Sequence, residues 1–317
     1  MYPLASSGLW TKIKSQKEKA VKTVKAISLL YHDVIRPGEV DASGFLQPGA
    51  ARYKLEREGF GLHLAALNKV LKVNPVTVLD ILPSPRGGEP LMLTFDDGGI
   101  SAYTEIIDVL DRYGWKGHFF IPTDYIGHPT FVNKEHIRAI RSRGHVIGSH
   151  SISHPERMPN QNLEELVREW TTSINSLSDI LGEEVNIASL PNGYYSKKVA
   201  EAASLSGVKA LFTSEPVRSS WMVDNCRVFG RYAIRSGMGP EASVKFVRGR
   251  CWQVYEEYLF WNTRKLAKIV GGEAYLTLRA HLLQGRLCKE CMVRLPSVNM
   301  VSAPNGESRG DEYSRSN

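Results

Sequence analysis

The chain has 317 residues, of which 42% are hydrophobic and 23% charged. That suits one large domain or two small ones and supplies a core without disulfide staples. The formal net charge of +7 is spread along the chain apart from a cluster at residues 12–25. No nucleic-acid-binding signature accompanies it, so a nucleic-acid partner is not expected.

A basic surface of this kind suits an anionic polysaccharide or an anionic lipid face, and residues 12–25 carry a minor expectation of contact with a membrane surface. Residues 1–25 lack the apolar centre of a signal segment, and no stretch is long and apolar enough to span a bilayer. The expected location is therefore the cytoplasm or the inner membrane surface. The four cysteines are Cys226, Cys251, Cys288 and Cys291. The C-x-x-C pair at 288 and 291 supplies half of a structural zinc site and the other two stand apart, so ordinary reduced thiols are expected.

In chain order, residues 26–32 form a short apolar run that reads as a buried strand, followed by a loop rich in Pro and Gly at 36–50. Residues 53–73 have helical spacing, with Phe60, Leu64 and Leu67 on one face. The pattern then alternates. Strands are expected at 91–95, 117–122, 146–149, 185–190, 208–213 and 227–234. Between them fall helices at 102–113, 134–143, 163–181 and 196–206, the last stopped by Gly207. Residues 241–285 are again helical in pattern, with Trp252, Tyr255 and Leu259 in register, and 302–317 read as a polar tail. Strands alternating with helices indicate parallel βα units. Periodicity alone leaves a closed barrel and a doubly wound open sheet both standing.

Three polar segments fall at the C-terminal ends of strand candidates, the functional rim of parallel α/β folds. The first is Thr94-Phe95-Asp96-Asp97-Gly98. Asp-Gly is a common turn pair, but a turn needs only one of the two acids. A pair allows one carboxylate to hold a metal while its neighbour acts as a base. The second is Gly148-Ser149-His150-Ser151-Ile152-Ser153-His154, whose histidines, four apart, present both rings to one side if the segment takes a helical turn. The third is Ser189-Leu190-Pro191-Asn192-Gly193-Tyr194, which follows a strand and reads as a turn or as one wall of a groove. One carboxylate and two imidazoles make a three-ligand set, typical of a catalytic rather than a structural metal site. Zinc suits the imidazoles, and cobalt, nickel, manganese and iron also accept such mixed ligands.

Thr-Phe-Asp-Asp-Gly followed by His-Ser-x-x-His resembles the polysaccharide deacetylase family, the NodB-homology or carbohydrate esterase 4 group. The segment Leu29-Leu30-Tyr31-His32-Asp33-Val34, with Tyr53 and Phe60 after it, looks like the lead-in of members tied to surface polysaccharide. The resemblance covers roughly residues 26–235. It implies an irregular (β/α)7 barrel, to which the helical pattern at 241–285 adds an extra C-terminal segment. The expected organisation is a basic lead-in at 1–25, a catalytic domain at 26–240, a helical extension at 241–300 and a tail at 301–317. It also implies hydrolysis of N-acetyl groups on amino sugars of a poly- or oligosaccharide partner, dependent on a divalent metal. By its motifs Asp96 is the catalytic base, and Asp97, His150 and His154 are the metal ligands. Pro191 and Gly193 wall the groove, and the backbone N–H of Tyr194 is the oxyanion donor. Two departures are visible. The family's Arg-x-Pro-x-Gly motif begins here with Ser189, so another arginine must pair with the base, and Arg231 is the expected substitute. The late Leu-x-x-His motif, which supplies the acid, is met by letter only at Leu278–His281, where Leu278 and Leu282 favour a helix. His281 is carried forward as the candidate acid. A metal hydrolase for another amide, or a non-catalytic sugar-binding or scaffold protein on the same fold, would share much of this pattern.

Overall fold

The computed structural model describes residues 24–83 and 87–249, together with Leu259 and Thr263. By compactness the chain divides into Met1–Val270 and Gly271–Asn317, and all that follows concerns the first unit. The 12–25 cluster, Cys251, Cys288, Cys291, His281, most of the 241–300 extension and the 301–317 tail lie outside the described residues, apart from Val24, Lys25 and 241–249. Among the described residues no helix is long and apolar enough to cross a membrane.

The strands are β1 (Ile27–Tyr31), β2 (Val34–Ile35), β3 (Leu55–Glu56), β4 (Leu91–Phe95), β5 (Gly117–Ile121), β6 (Val146–Ser149), β7 (Ile187–Ser189), β8 (Ala210–Phe212), β9 (Trp221–Val223), β10 (Cys226–Phe229) and β11 (Tyr232–Ala233). The helices are α1 (Pro48–Ala51), α2 (Arg57–Val70), α3 (Ile107–Arg112), α4 (Lys134–Ser142), α5 (Leu163–Leu181), α6 (Lys197–Leu205) and α7 (Pro240–Arg248). The main sheet runs β11-β1-β4-β5-β6-β7-β8-β10-β9, with every pairing parallel except β10 with β9. The strand expected at 227–234 changes partner midway. Arg227–Phe229 pairs with β8, whereas Tyr232 and Ala233 pair with β1. One segment thus joins both ends of the parallel sheet and curls it into a barrel, as the resemblance implied.

The changeover occurs at Gly230 and Arg231. A Cβ at position 230 would collide with the carbonyl oxygen of Glu215, so only glycine lets the backbone pass there. The edge strand β9 has no period-2 pattern long enough to be seen in sequence. The helix expected at 53–73 starts later, because Leu55 and Glu56 pair with β2 instead. The helix expected at 102–113 opens with a π-helical turn, Ala102–Ile106, that buries Glu105 against Arg36 and Arg57.

Alternation along the strands sorts the core into two layers. Leu91, Leu93 and Phe95 pack outward with α5 residues Leu166, Trp170 and Leu177. Met92, Phe120, Ile187, Phe212 and Phe229 form a separate inner cluster. Capping fixes the helices around it. Asn162 and Glu165 form a reciprocal capping box at the start of α5, and Gly182 ends it in the left-handed conformation. Helix α7 returns across the outside, stacking Phe246 on Tyr232 at 5.0 Å.

His118 sits in the inner layer. It accepts the Val78 N–H at Nε2 (2.8 Å) and faces the Leu93 carbonyl with Nδ1 (2.8 Å), so the neutral ring carries its proton on Nδ1. Burial pushes its pKa down from 6.5 to about 4. Its contribution to stability is complete above pH 6.5 and is lost as pH falls toward 4, because only the unfolded chain takes up the proton. The loss amounts to about 1.4 kcal/mol per pH unit, or roughly 3 kcal/mol in all. Burial lowers His145 to about 4 as well, and it adds in the same direction. Urea unfolding followed between neutral and mildly acid pH is expected to show this decline, and His118→Asn to flatten part of it. An unchanged pH slope in that variant would exclude His118 as its source.

Candidate active site

The alternation that builds the inner layer continues past the strand ends and sets which side chains reach the barrel mouth. After Met92 and Thr94 it delivers Asp96, after Val146 and Gly148 it delivers His150, and after Ile187 it delivers Ser189. After Phe229 it delivers Arg231, and after Ser28 and Leu30 it delivers His32. These residues meet at the C-terminal end of the parallel strands, where such folds place their chemistry.

Asp97 leaves the alternation. Its φ of 74° is unusual for a residue with a side chain and swings its carboxylate beside its neighbour's. Asp97 Oδ1 lies 3.3 Å from His150 Nε2 and 3.4 Å from His154 Nε2. One ligand atom from each of the three residues falls within 4.8 Å of the others. Two imidazole nitrogens and one carboxylate oxygen at such spacing fit a single divalent cation and leave positions for water and substrate. Burial alone would raise the Asp97 carboxyl, but hydrogen bonding to His150 and His154 holds it well below the usual carboxylate range.

The two histidines do not share a helical turn, as their spacing allowed. Ser151 (φ 65°) and His154 (φ 53°) both take left-handed backbone, and the segment is a tight loop. Side chains hold it in place of helical hydrogen bonds. The Ser151 N–H donates to Ser149 Oγ (3.1 Å), and the His154 N–H to Ser151 Oγ (3.1 Å). Glu169, buried on α5, accepts from the backbone N–H groups of Ile152 (2.9 Å) and Ser153 (3.1 Å) and from the Ser153 hydroxyl (2.8 Å). The Phe45 ring packs 4.6 Å from the His154 ring. No local sequence signal reveals Glu169 or Phe45, because both act across long stretches of chain.

Arg231 meets Asp96 as a two-pronged pair, Nη1 to Oδ1 and Nη2 to Oδ2, both at 2.7 Å. The guanidinium is fully buried and also donates from Nε to the Thr213 carbonyl (2.8 Å), and it lies over the Phe120 and Phe212 rings. Burial pushes the Asp96 carboxyl up, but the charges of Arg231 and His150 outweigh it and hold the group below its ordinary value. The expected arginine is thus in place. Ser189, where the family motif has its own arginine, donates its hydroxyl to Asp96 Oδ1 at 3.0 Å.

Pro191 and Gly193 are buried in a turn in which Asn192 (φ 57°) and Gly193 (φ 66°) are left-handed. Tyr194 follows directly, with the Arg157 guanidinium 5.4 Å from its ring centre. The Asn192 side-chain amide donates to the Pro155 carbonyl (3.3 Å), joining this wall to the histidine loop. Two further residues belong to the lead-in segment, whose resemblance gave them no role. His32 stacks on Tyr53 at 4.6 Å, carries a buried Nδ1 with no hydrogen-bond partner, and its charge would lower the pKa of both Asp96 and Asp97. Asp33, buried, accepts the hydroxyls of Ser43 (2.6 Å) and Ser101 (2.8 Å), and a Cβ at Gly99 would collide with its Oδ1. This knot fastens the loop bearing Phe45 to the turn after Asp97.

The sequence model described as polysaccharide deacetylase matches residues 84–211. A peptidoglycan N-acetylglucosamine deacetylase, PgdA of Listeria monocytogenes, is 29% identical over 160 residues, covering 50% of this chain and 33% of that protein. The peptidoglycan N-acetylmuramic acid deacetylase PdaA of Bacillus subtilis is 27% identical over 137 residues, covering 43% of this chain and 50% of that protein. The chain therefore spans a third to a half of these relatives' length. Among solved structures, the deacetylase PplD of Streptococcus pyogenes superposes with a TM-score of 0.60 at 18% identity, covering 71% of this chain and 98% of that one. IcaB of Ammonifex degensii gives 0.58 at 19% identity, covering 70% and 97%. These likenesses establish the fold. The family match spans the segment that holds both acids and both histidines.

Proposed function

We propose that the protein hydrolyses the N-acetyl groups of amino sugars in a poly- or oligosaccharide, with a divalent metal. The observation that carries this reading is the juxtaposition of a three-ligand set, Asp97, His150 and His154, with a second carboxylate, Asp96, clamped by a buried arginine. A sugar-binding protein without catalysis has no use for that clamp. The relatives' names, which specify peptidoglycan amino sugars, support the substrate class. The imidazole pair favours zinc, with cobalt, nickel, manganese and iron as the alternatives.

When bound, the cation polarises the amide carbonyl and acidifies a water. The remaining chemistry belongs to the chain. Asp96, fixed by Arg231, takes the proton of the attacking water. The new carbon–oxygen bond leaves negative charge on the former carbonyl oxygen, for which the backbone N–H of Tyr194 is our assignment as donor. The carbon–nitrogen bond then breaks as the amine nitrogen gains a proton, giving acetate and a free amino sugar. His32 is our assignment for that proton donor, since strand alternation delivers it to the barrel mouth with Asp96 and its Nδ1 is otherwise unengaged.

The test is metal analysis joined to acetate release from N-acetylglucosamine oligomers. One bound divalent ion per chain and release of acetate are expected. Asp97→Ala is expected to weaken metal binding by about 100-fold or more and to abolish release, because one of only three protein ligands is gone. His32→Ala is expected to keep the metal and lose about 10²-fold or more in kcat. A protein that binds the metal but frees no acetate from any N-acetylated oligomer would overturn the activity. Unimpaired turnover in His32→Ala would remove only the donor assignment.

A further inference from the structure

The proton donor, base and metal ligands leave the buried Ser189 hydroxyl at this site without a role. Ser189 Oγ lies 3.0 Å from Asp96 Oδ1 and 2.6 Å from His150 Nδ1, and the same Nδ1 lies 3.0 Å from the Ser189 carbonyl oxygen. The hydroxyl has a single proton and stands between two groups that both accept one when His150 is protonated on Nε2. We infer that Ser189 is a positioning residue which joins the base carboxylate and the metal-ligand imidazole into one hydrogen-bonded chain, so that cation loading and the setting of the base are thermodynamically coupled.

The direction of the protons supplies the argument. The Ser189 carbonyl can only accept, so its contact requires a proton on Nδ1. A cation on Nε2 requires the same tautomer. With Nδ1 protonated, the hydroxyl receives from His150 and its own proton points to Asp96. With the proton on Nε2, the hydroxyl is drawn to donate to Nδ1 and Asp96 loses that hydrogen bond. Cation binding therefore selects the arrangement in which Asp96 Oδ1 is held by both Ser189 and Arg231 Nη1, leaving Oδ2 on the side of His150 Nε2, 3.9 Å away. An arginine at this position, as in the family motif, has no lone pair to accept from Nδ1 and could not serve as the link. The small hydroxyl is compatible with Arg231 only because that charge arrives from another strand.

This inference rests on the deacetylase reading, and the experiment separates the two. Zinc affinity of the full chain is measured by chelator competition for wild type, Ser189→Ala, Asp96→Asn and the double variant, with acetate release assayed in parallel. Coupling is expected to appear as a departure from additivity of about fivefold or more in zinc affinity. In Ser189→Ala, kcat is expected to fall by about tenfold with KM little changed, and Ser189→Thr, which restores the hydroxyl, to recover most of both effects. The imidazole Nδ1 proton of His150, observed by NMR in 15N-histidine-labelled zinc protein, is expected to shift in Ser189→Ala. Additive effects on zinc affinity with an unmoved Nδ1 signal would overturn the link, even while wild type binds zinc and frees acetate. If wild type binds neither zinc nor cobalt, nickel, manganese or iron, the deacetylase reading fails first and takes this one with it.

Discussion

Asp96→Asn is expected to lower kcat by about 10²–10⁴-fold, the range lost when a general base is removed. The metal should remain bound with affinity within about tenfold of wild type, because Asp97, His150 and His154 are untouched. Two adjacent acids can be told apart in this way: the first variant keeps the ion and loses turnover, whereas Asp97→Ala loses the ion. Metal analysis and steady-state acetate release at saturating zinc decide it. An Asp96→Asn enzyme turning over at wild-type rate would require another base and would end the assignment of Asp96.

The second large effect is on stability. Arg231→Met is expected to cost about 3–5 kcal/mol, because it strands the Asp96 carboxylate in a buried site without its counter-charge. The loss is not the worth of the pair itself, and a second variant shows this. Combining Arg231→Met with Asp96→Asn removes the stranded charge, so the double variant should be more stable than Arg231→Met alone. Urea unfolding of the two proteins is the measurement. If the double variant is the less stable of the two, uncompensated charge is not what makes Arg231 necessary, and its contacts with Thr213 and the Phe120 and Phe212 rings must carry the effect.

The regular elements were largely legible because each buries one face and ends on residues with local chemistry. Strands β4 and β6 and helix α5 fall where their apolar patterns put them. The two acids, two histidines and Arg231 were legible because they stand at strand ends, and the structure brings them together. The conformation of the histidine loop was not. A four-residue spacing satisfies a helical turn and a loop equally, and the deciding contacts come from Glu169, on a helix that follows. His32 stood in the lead-in segment without a role for a similar reason. Its role depends on which way the period-2 pattern of β1 happens to point once the sheet has curled. The break at Gly230 and Arg231 was hidden because a strand that changes partner midway keeps the composition of a continuous one.

That changeover has a consequence for how the protein is made. The residue that pairs with the base is also the residue at which the sheet's two ends are joined, and it is supplied by the final strand of the barrel. A nascent chain emerging from the ribosome with everything through β8 already in place would still hold an acid lacking its counterion. Pairing of the acid and sealing of the cylinder thus fall to the same stretch of chain, and a polypeptide ending before residue 231 is expected to be unsealed and to leave Asp96 without its counterion.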